Sequence, residues 1–363
     1  MPYQFITNNA QLNQYCVKIA NSNAIALDTE FVRTRTFYPH LGLLQVFNGE
    51  YAALIDPLAI TDWQAFLAIL NNPTIEKNFH SCSEDIEVFL HFFGCLPTPI
   101  IDSQIFASFL DNPISSGYAS LVNKYLNVEL DKSETRTDWL KRPLTEKQCN
   151  YAINDVLYLF PLMNLLKTQL TKQGYLTAAY QECQTVIKRK CEIINPDDAY
   201  LNIKNSWQLK GKSLGQLYKL ARYRYNTAKQ SDIALNFVVN EETLFKIARY
   251  SPSSLAELDK LGMNGKEIRL YGQAILAILL EPIPDIPPIR RVNSYPNYKN
   301  IADKLKQAAQ DIAEHTGLNQ DLLLSRRLIN QYVKWQIDKT EALPDILSGW
   351  RKPLFEKYIA NEQ

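Results

Sequence analysis

The chain has 363 residues, of which 46% are hydrophobic and 12 are glycine, and its formal net charge is +1 at pH 7. This length and composition predict two or three folded domains and exclude a chain that is disordered over most of its length. No apolar run is long enough to cross a membrane, and the N-terminal residues do not resemble a secretion signal, so we predict a cytoplasmic protein with no membrane partner.

The two halves of the chain carry charge of opposite sign. Residues 1–200 contain 15 Lys and Arg against 21 Asp and Glu, whereas residues 201–363 contain 24 against 17. An acidic half could hold cations, and a basic half could attract a polyanion such as nucleic acid. A surplus of seven charges is also common on a solvated surface, so the asymmetry alone does not decide between these interpretations.

The first part of the chain alternates between segments typical of strands and of helices. We predict strands near residues 25–31, 43–47, 51–55 and 74–79, with a hairpin turn at Asn48 and Gly49. Helices are predicted near residues 61–70, 84–93 and 103–110, the second of them capped by Ser83. Such alternation predicts an α/β domain with a mixed sheet.

The second part of the chain is predicted to be all-helical. Helical patterns cover residues 207–228, 241–249, 254–260 and 264–280. A proline-rich segment at residues 281–289 then marks a boundary, because proline interrupts helices, and a second helical block follows from residue 301 to about 359.

Five residues in the first part could together form a metal site. Asp28 and Glu30 occupy alternate positions of an apolar strand and point to the same face. Tyr151 and Asp155 are four residues apart on a predicted helix and share one side of it, while Asp85 lies at the start of another helix. Clustered carboxylates repel one another unless cations lie between them, and carboxylate oxygens suit Mg²⁺ or Mn²⁺. Two such ions can hydrolyse a phosphodiester, with a tyrosine hydroxyl orienting the attacking water.

The order and context of these residues resemble the DEDD exonuclease superfamily, in the subgroup with a tyrosine before the last aspartate. Asp28 and Glu30 match its first motif, Asp85 in NFHSCSED its second, and Tyr151 with Asp155 its third. The similarity to the ribonuclease D family is closer still and covers nearly the whole chain. It includes LDTEFVRTRT at residues 27–36, DKSETRTDW at 131–139, RPLT at 142–145, NFVV at 236–239 and SGWR at 348–351.

This resemblance implies a fold, a domain order and a reaction. The fold would be a ribonuclease H-like mixed-sheet 3′-5′ exonuclease domain followed by two small all-α domains of the helicase-and-RNase-D C-terminal (HRDC) type. The implied boundaries are 1–175 for the exonuclease, 176–205 for a helical connector, 206–285 and 299–363 for the two helical domains, and 286–298 for the linker between them. The chain would be a monomer that removes nucleotides from RNA 3′ ends, releases nucleoside 5′-monophosphates and trims tRNA precursors.

The resemblance also assigns roles to the site residues. Asp28, Glu30 and Asp155 would bind the metal on the nucleophile side, and Asp28 would also reach a second metal, which Asp85 would support through water. Tyr151 would orient the nucleophile. Two divalent cations, Mg²⁺ or Mn²⁺, are the implied cofactors.

Further residues are candidates for binding the substrate. Those near the catalytic motifs are Arg33, Arg35, Tyr38, Gln45, Lys132 and Arg136. Those in the basic half are Lys219, Arg222, Arg224, Lys229, Arg326 and Arg327. Arg33 and Arg35 could equally face solvent without touching RNA. An exonuclease that prefers DNA and a non-catalytic RNA-binding protein both remain alternatives, although the non-catalytic alternative would be favoured by loss of an acidic residue, and all are present.

Overall fold

The computed structural model describes residues 2–130, 137–192 and 194–359. The chain divides into two compact units. The first unit is built from the described residues of 1–32, 40–191 and 296–363, and the second from those of 33–39 and 192–295. The first unit is therefore assembled from both ends of the chain.

A six-stranded mixed sheet forms the centre of the first unit. Its strands are β1 (Gln4–Ile6), β2 (Ala24–Val32), β3 (His40–Phe47), β4 (Ala52–Ile55), β5 (Glu76–Phe79) and β6 (Ile100–Asp102). They lie in the order β1-β4-β3-β2-β5-β6, with β2 antiparallel to β3 and parallel to β5. The predicted hairpin is the antiparallel β3–β4 pair. The predicted α/β class and mixed sheet are confirmed.

Helices accompany these strands in the first unit. They are α1 (Asn9–Ile19), α2 (Gln64–Leu70), α3 (Ser83–Phe92), α4 (Ser103–Ser108), α5 (Tyr118–Leu126), α6 (Glu146–Leu157), α7 (Leu159–Gln173) and α8 (Leu176–Lys190). A capping box starts α6, because the Thr145 side chain accepts a hydrogen bond from the Gln148 backbone while the Gln148 side chain accepts one from the Thr145 backbone. This cap fixes the start of the helix that carries Tyr151 and Asp155.

The second unit has its own hydrophobic core between helices. Its helices are α9 (Gly211–Gln230), α10 (Leu235–Val238), α11 (Glu241–Tyr250), α12 (Leu255–Lys260), α13 (Gly265–Glu267) and α14 (Gln273–Leu280). Leu214, Leu217 and Leu220 of α9 are fully buried with Leu244 and Ile247 of α11. The predicted helical character of this region is confirmed, although α9 begins four residues later than predicted because residues 206–208 form a separate 3₁₀ turn.

Four helices from the end of the chain belong to the first unit. They are α15 (Tyr298–Thr316), α16 (Gln320–Leu323), α17 (Arg326–Ile337) and α18 (Lys352–Ile359). Arg351 before α18 donates hydrogen bonds to both carboxylate oxygens of Glu182 on α8, and to the backbone carbonyls of Leu322 and Leu323. The Arg351 and Glu182 side chains are only 5% and 8% exposed, so this is a buried ion pair.

Within the described part of the chain, no helix combines the length and apolar character needed to span a membrane.

Candidate active site

Three of the predicted carboxylates meet beside the middle of the sheet. Asp28 and Glu30 lie on β2, where they pair with Gln45 and Leu43 of β3. Asp155 comes from α6, which packs on β2 and β3. One carboxylate oxygen from each of Asp28, Glu30 and Asp155 lies within 4.8 Å of the other two. The strand and helix periodicities therefore bring residues more than 120 positions apart into one cluster.

The fourth carboxylate, Asp85, lies in the first turn of α3 and is buried. Its Oδ1 accepts a hydrogen bond from the Thr29 hydroxyl, and Thr29 stands between Asp28 and Glu30 on β2. This contact ties α3 to the strand that carries the other acids. No local pattern points to a role for Thr29, because a threonine in a strand is common and its partner is 56 positions away.

The four carboxyl groups all have a raised pKa. Burial raises the pKa of Asp28 well above its ordinary value, and the charges of Asp85, Asp155 and Glu30 raise it further. Burial, with the charges of Asp155 and Asp85, raises the pKa of Glu30 to about 9. Burial raises the pKa of Asp85 to about 7, although the hydrogen bond from Thr29 acts to lower it. Burial, with the charge of Asp85, raises the pKa of Asp155 to about 7.

These shifts show what the site needs in order to be fully ionised. Three partly buried carboxylates at this spacing, with the buried Asp85 beside them, are stable together only if protons or cations balance their charge. The donors are all carboxylate oxygens, which suits hard divalent ions with oxygen coordination better than zinc held by Cys and His. The residues present thus fit a site for divalent metal ions.

Tyr151 lies one helical turn before Asp155 on α6. Its ring centroid is 6.2 Å from that of Trp139, which is buried. Trp139 packs against Gly42, where an added Cβ would be 2.6 Å from the Trp139 carbonyl oxygen. Only glycine fits this close approach, so Gly42 supports the residue against which Tyr151 packs.

The six residues near the catalytic motifs that were predicted to bind substrate have different surroundings in the structure. Arg33 and Arg35 are exposed and, with Tyr38, belong to the segment 33–39 of the second unit, where the Asp232 carboxylate accepts hydrogen bonds from the backbone amides of Phe37 and Tyr38. Gln45 is fully buried, and neither polar atom of its side chain has a hydrogen-bond partner among the described residues. Lys132 and Arg136 lie outside the described residues. Substrate binding by these six residues stays a prediction.

The structure contradicts one candidate from the basic half. Arg224 is 5% exposed and donates hydrogen bonds to the Leu235 carbonyl and the Asn236 side chain. The prediction that Arg224 contacts RNA is wrong, because its guanidinium is buried inside the second unit. Lys219, Arg222 and Arg327 form ion pairs with Glu281, Asp197 and Asp345, respectively.

Comparison with known proteins gives matches along nearly the whole chain. Residues 3–171 match a family described as a 3′-5′ exonuclease, residues 213–279 match the HRDC domain, and residues 296–359 match the C-terminal HRDC domain of ribonuclease D. The chain is 47% identical to ribonuclease D of Serratia proteamaculans over 98% of this chain and 97% of that protein. It is likewise 47% identical to ribonuclease D of Escherichia coli K12, over 99% of this chain and 98% of that protein.

A solved structure agrees with these sequence matches. The crystal structure of Escherichia coli RNase D, described as an exoribonuclease involved in structured RNA processing, superposes with a TM-score of 0.94 at 46% identity. The superposition covers 99% of this chain and 98% of that chain.

Proposed function

The chain belongs to the ribonuclease D family, and we infer from this membership that it is a 3′-5′ exoribonuclease. The observation that carries the inference is the acidic cluster of β2 and α6, with Asp85 of α3 bound to β2 through Thr29, in a chain that matches ribonuclease D over nearly its full length. An RNA 3′ end would be shortened one nucleotide at a time by phosphodiester hydrolysis that releases nucleoside 5′-monophosphates.

The acidic cluster binds divalent metal ions, and we propose that two Mg²⁺ or Mn²⁺ ions bind there. Asp28, Glu30 and Asp155 would hold the ion on the nucleophile side. Asp28 would also reach the second ion, on the leaving-group side, which Asp85 would support through water. When bound, such ions activate water and stabilise the departing oxygen.

The chain's own residues then determine what reacts. Tyr151 would hold the attacking water through its phenol oxygen, since it stands on the same face of α6 as Asp155. The packing of Trp139 against Tyr151 would fix the ring in this position. Burial of Asp85 keeps bulk water from screening its charge, which strengthens its interaction with cations.

The natural substrates are proposed to be tRNA precursors, processed in the cytoplasm by a monomer. The excess of basic residues after position 200 supports contact with a structured RNA, because phosphate contacts give affinity without sequence readout. The domain boundaries implied by the sequence are retained as a proposal, with residues 1–175 hydrolysing RNA and the helical regions 206–285 and 299–363 contacting it.

A time course on two labelled substrates tests the proposal. One is a tRNA with a 3′ trailer and the other is a single-stranded DNA, each incubated with Mg²⁺ or Mn²⁺. Asp28→Asn should abolish shortening because it removes a ligand common to both ions, whereas the control Glu50→Gln changes an exposed carboxylate of the same unit and should leave the rate unchanged.

Each failure has a separate meaning in this experiment. Stepwise shortening of the RNA that stops near the mature end, with little loss of DNA, supports the proposed substrate. Digestion of DNA at an equal rate would contradict the RNA preference, and hydrolysis retained by Asp28→Asn would contradict the assignment of the metal ligands.

A further inference from the structure

The turn between β5 and α3 has a backbone conformation that needs outside support. Ser81 in this turn has φ of +56°, in the left-handed region that residues other than glycine adopt at a cost. The turn leads directly into α3, whose first turn carries Asp85. The turn therefore sets the start of the helix that carries the Asp85 carboxylate.

Helix α3 does not cap itself. The residue before it is Cys82, whose side chain makes no capping hydrogen bond. The sequence predicted Ser83 as the cap, but this prediction is wrong, because Ser83 is already the first residue of the helix. The amide groups of the turn are instead bound by a side chain from the neighbouring strand.

That side chain is Asp102, the last residue of β6, which pairs with Phe79 of β5. Asp102 is 4% exposed. Its Oδ1 accepts hydrogen bonds from the backbone amides of Ser81 at 3.0 Å and Gln104 at 2.8 Å, and its Oδ2 accepts one from the backbone amide of Cys82 at 2.9 Å. One carboxylate thus caps α4 and holds the turn before α3 at the same time.

The chemistry of the cap indicates more than a helix start. A serine, threonine or asparagine would cap α4 with a single acceptor oxygen, but only a carboxylate offers two oxygens to three amides. A carboxylate at position 102 is electrostatically unfavourable for Asp85, since the charge of Asp102 contributes to raising the pKa of Asp85. The geometry of the turn accounts for a carboxylate at this place.

Two contacts therefore fix Asp85 from opposite ends. Asp102 binds the backbone that precedes the helix, and the Thr29 hydroxyl binds the carboxylate itself. We propose that Asp102 is a positioning residue of the metal site, which holds residues 81–82 so that Asp85 meets the second metal ion. This inference rests on the proposed function, because it takes Asp85 to be part of the metal site.

Binding of Mn²⁺ to the metal-free protein, measured by calorimetry, tests the inference without relying on activity. Loss of a side chain that orients a metal ligand typically weakens metal binding by about 10- to 100-fold. Asp102→Ala should weaken one of two Mn²⁺ binding events by at least about 10-fold on this basis. Asp102→Asn should weaken this binding event less. The amide oxygen of asparagine can replace Oδ1, so that only the hydrogen bond from the Cys82 amide is lost.

The control is Asn112→Ala in the same unit. Asn112 is 2% exposed and donates hydrogen bonds to the Ala107 and Leu110 carbonyls and to the Tyr125 hydroxyl. Its removal costs a comparable number of buried hydrogen bonds but does not touch the turn at 80–82. Circular dichroism establishes which variants fold. If Asp102→Ala does not fold, the Mn²⁺ affinity of Asp102→Asn tests the inference.

Wild-type affinity in the folded Asp102 variants would overturn the inference, and so would equal weakening in Asn112→Ala. Asp28→Asn in the same titration separates the two proposals. If it also binds Mn²⁺ like the wild type, the metal-site assignment fails and the positioning role fails with it. If it loses Mn²⁺ while the Asp102 variants do not, only the positioning role fails.

Discussion

Asp28→Asn should stabilise the metal-free protein at alkaline pH while destabilising the metal-bound protein. Asp28 is the acid whose pKa is affected by burial and by all three of the other carboxyl groups. The substitution removes one carboxylate of the cluster and keeps the shape of the side chain. Its effect on unfolding therefore reports the electrostatic cost of the empty cluster.

The direction of the pH effect on stability follows from the direction of the pKa shifts. Since these carboxyl groups have raised pKa values in the folded state, the native protein keeps protons that the unfolded chain releases. Their contribution to stability is complete below the unfolded pKa values, 3.8 for the aspartates and 4.5 for Glu30. It is lost as the pH rises towards the folded values, about 7 for Asp85 and Asp155 and about 9 for Glu30. The metal-free wild type should therefore lose stability on going from pH 5.5 to 8.5.

The size of the change in unfolding free energy follows from proton linkage. One extra proton bound by the native state changes the unfolding free energy by about 1.4 kcal/mol per pH unit, so about three pH units give an upper limit of about 4 kcal/mol. Water entry and relaxation of the site lower this, and we expect Asp28→Asn to gain about 2 kcal/mol over the wild type. Metal at about 100 times its Kd would stabilise the wild type alone by about 2.7 kcal/mol and reverse the order of the two proteins.

The assay is urea unfolding at pH 5.5 and 8.5, in EDTA and in Mg²⁺. The difference between wild type and Asp28→Asn cancels the titrating groups outside the acidic cluster, and Glu50→Gln controls for loss of an exposed carboxylate. The same pH dependence for wild type and Asp28→Asn in EDTA would refute the electrostatic reasoning. So would a failure of Mg²⁺ to stabilise the wild type more than Asp28→Asn.

Three further substitutions test individual contacts. Tyr151→Phe should slow hydrolysis by about 10²-fold or more while Mn²⁺ affinity stays unchanged, since it removes only the hydroxyl that orients water; a large loss of Mn²⁺ binding would contradict this role. Arg351→Ala should lower the unfolding free energy of the full chain by about 3–5 kcal/mol, because it leaves the Glu182 carboxylate buried without its ionic partner and with only the hydrogen bond from the Trp350 indole. A loss below about 1 kcal/mol in urea unfolding would contradict that account. Gly42→Ala should destabilise by about 1–3 kcal/mol, because its Cβ would meet Trp139, and unchanged thermal unfolding would show that the backbone there can yield.

Local patterns were sufficient to predict the elements that carry the site. The apolar run around Asp28 predicted β2, and the spacing of Tyr151 and Asp155 placed both on one face of a helix, which is α6. The strand β1 and the helix α1 were not predicted, although Asn8 caps α1 through a hydrogen bond from the Gln11 amide. Strand β1 has only three residues, too few for a periodic pattern to be recognised.

Contacts between distant positions could not be predicted in the same way. The start of α3 depends on Asp102, about 20 positions away, so a local capping rule selected Ser83 instead. The proline-rich segment predicted a boundary before α15, but no local pattern indicates which part of the chain α15 to α18 pack against. That depends on the pairing of Glu182 with Arg351, which only the folded chain shows.

The distance along the chain between Glu182 and Arg351 has a consequence during protein synthesis. The two residues are 169 positions apart, and all of residues 192–295 are made between them. At about 5–20 residues per second, a ribosome needs roughly 8–34 seconds to go from one to the other. Throughout that interval the emerging chain has a carboxylate at position 182 without its guanidinium partner. The first unit can therefore complete its core only after the second unit has been translated, although its sheet is the first part of the chain to be made.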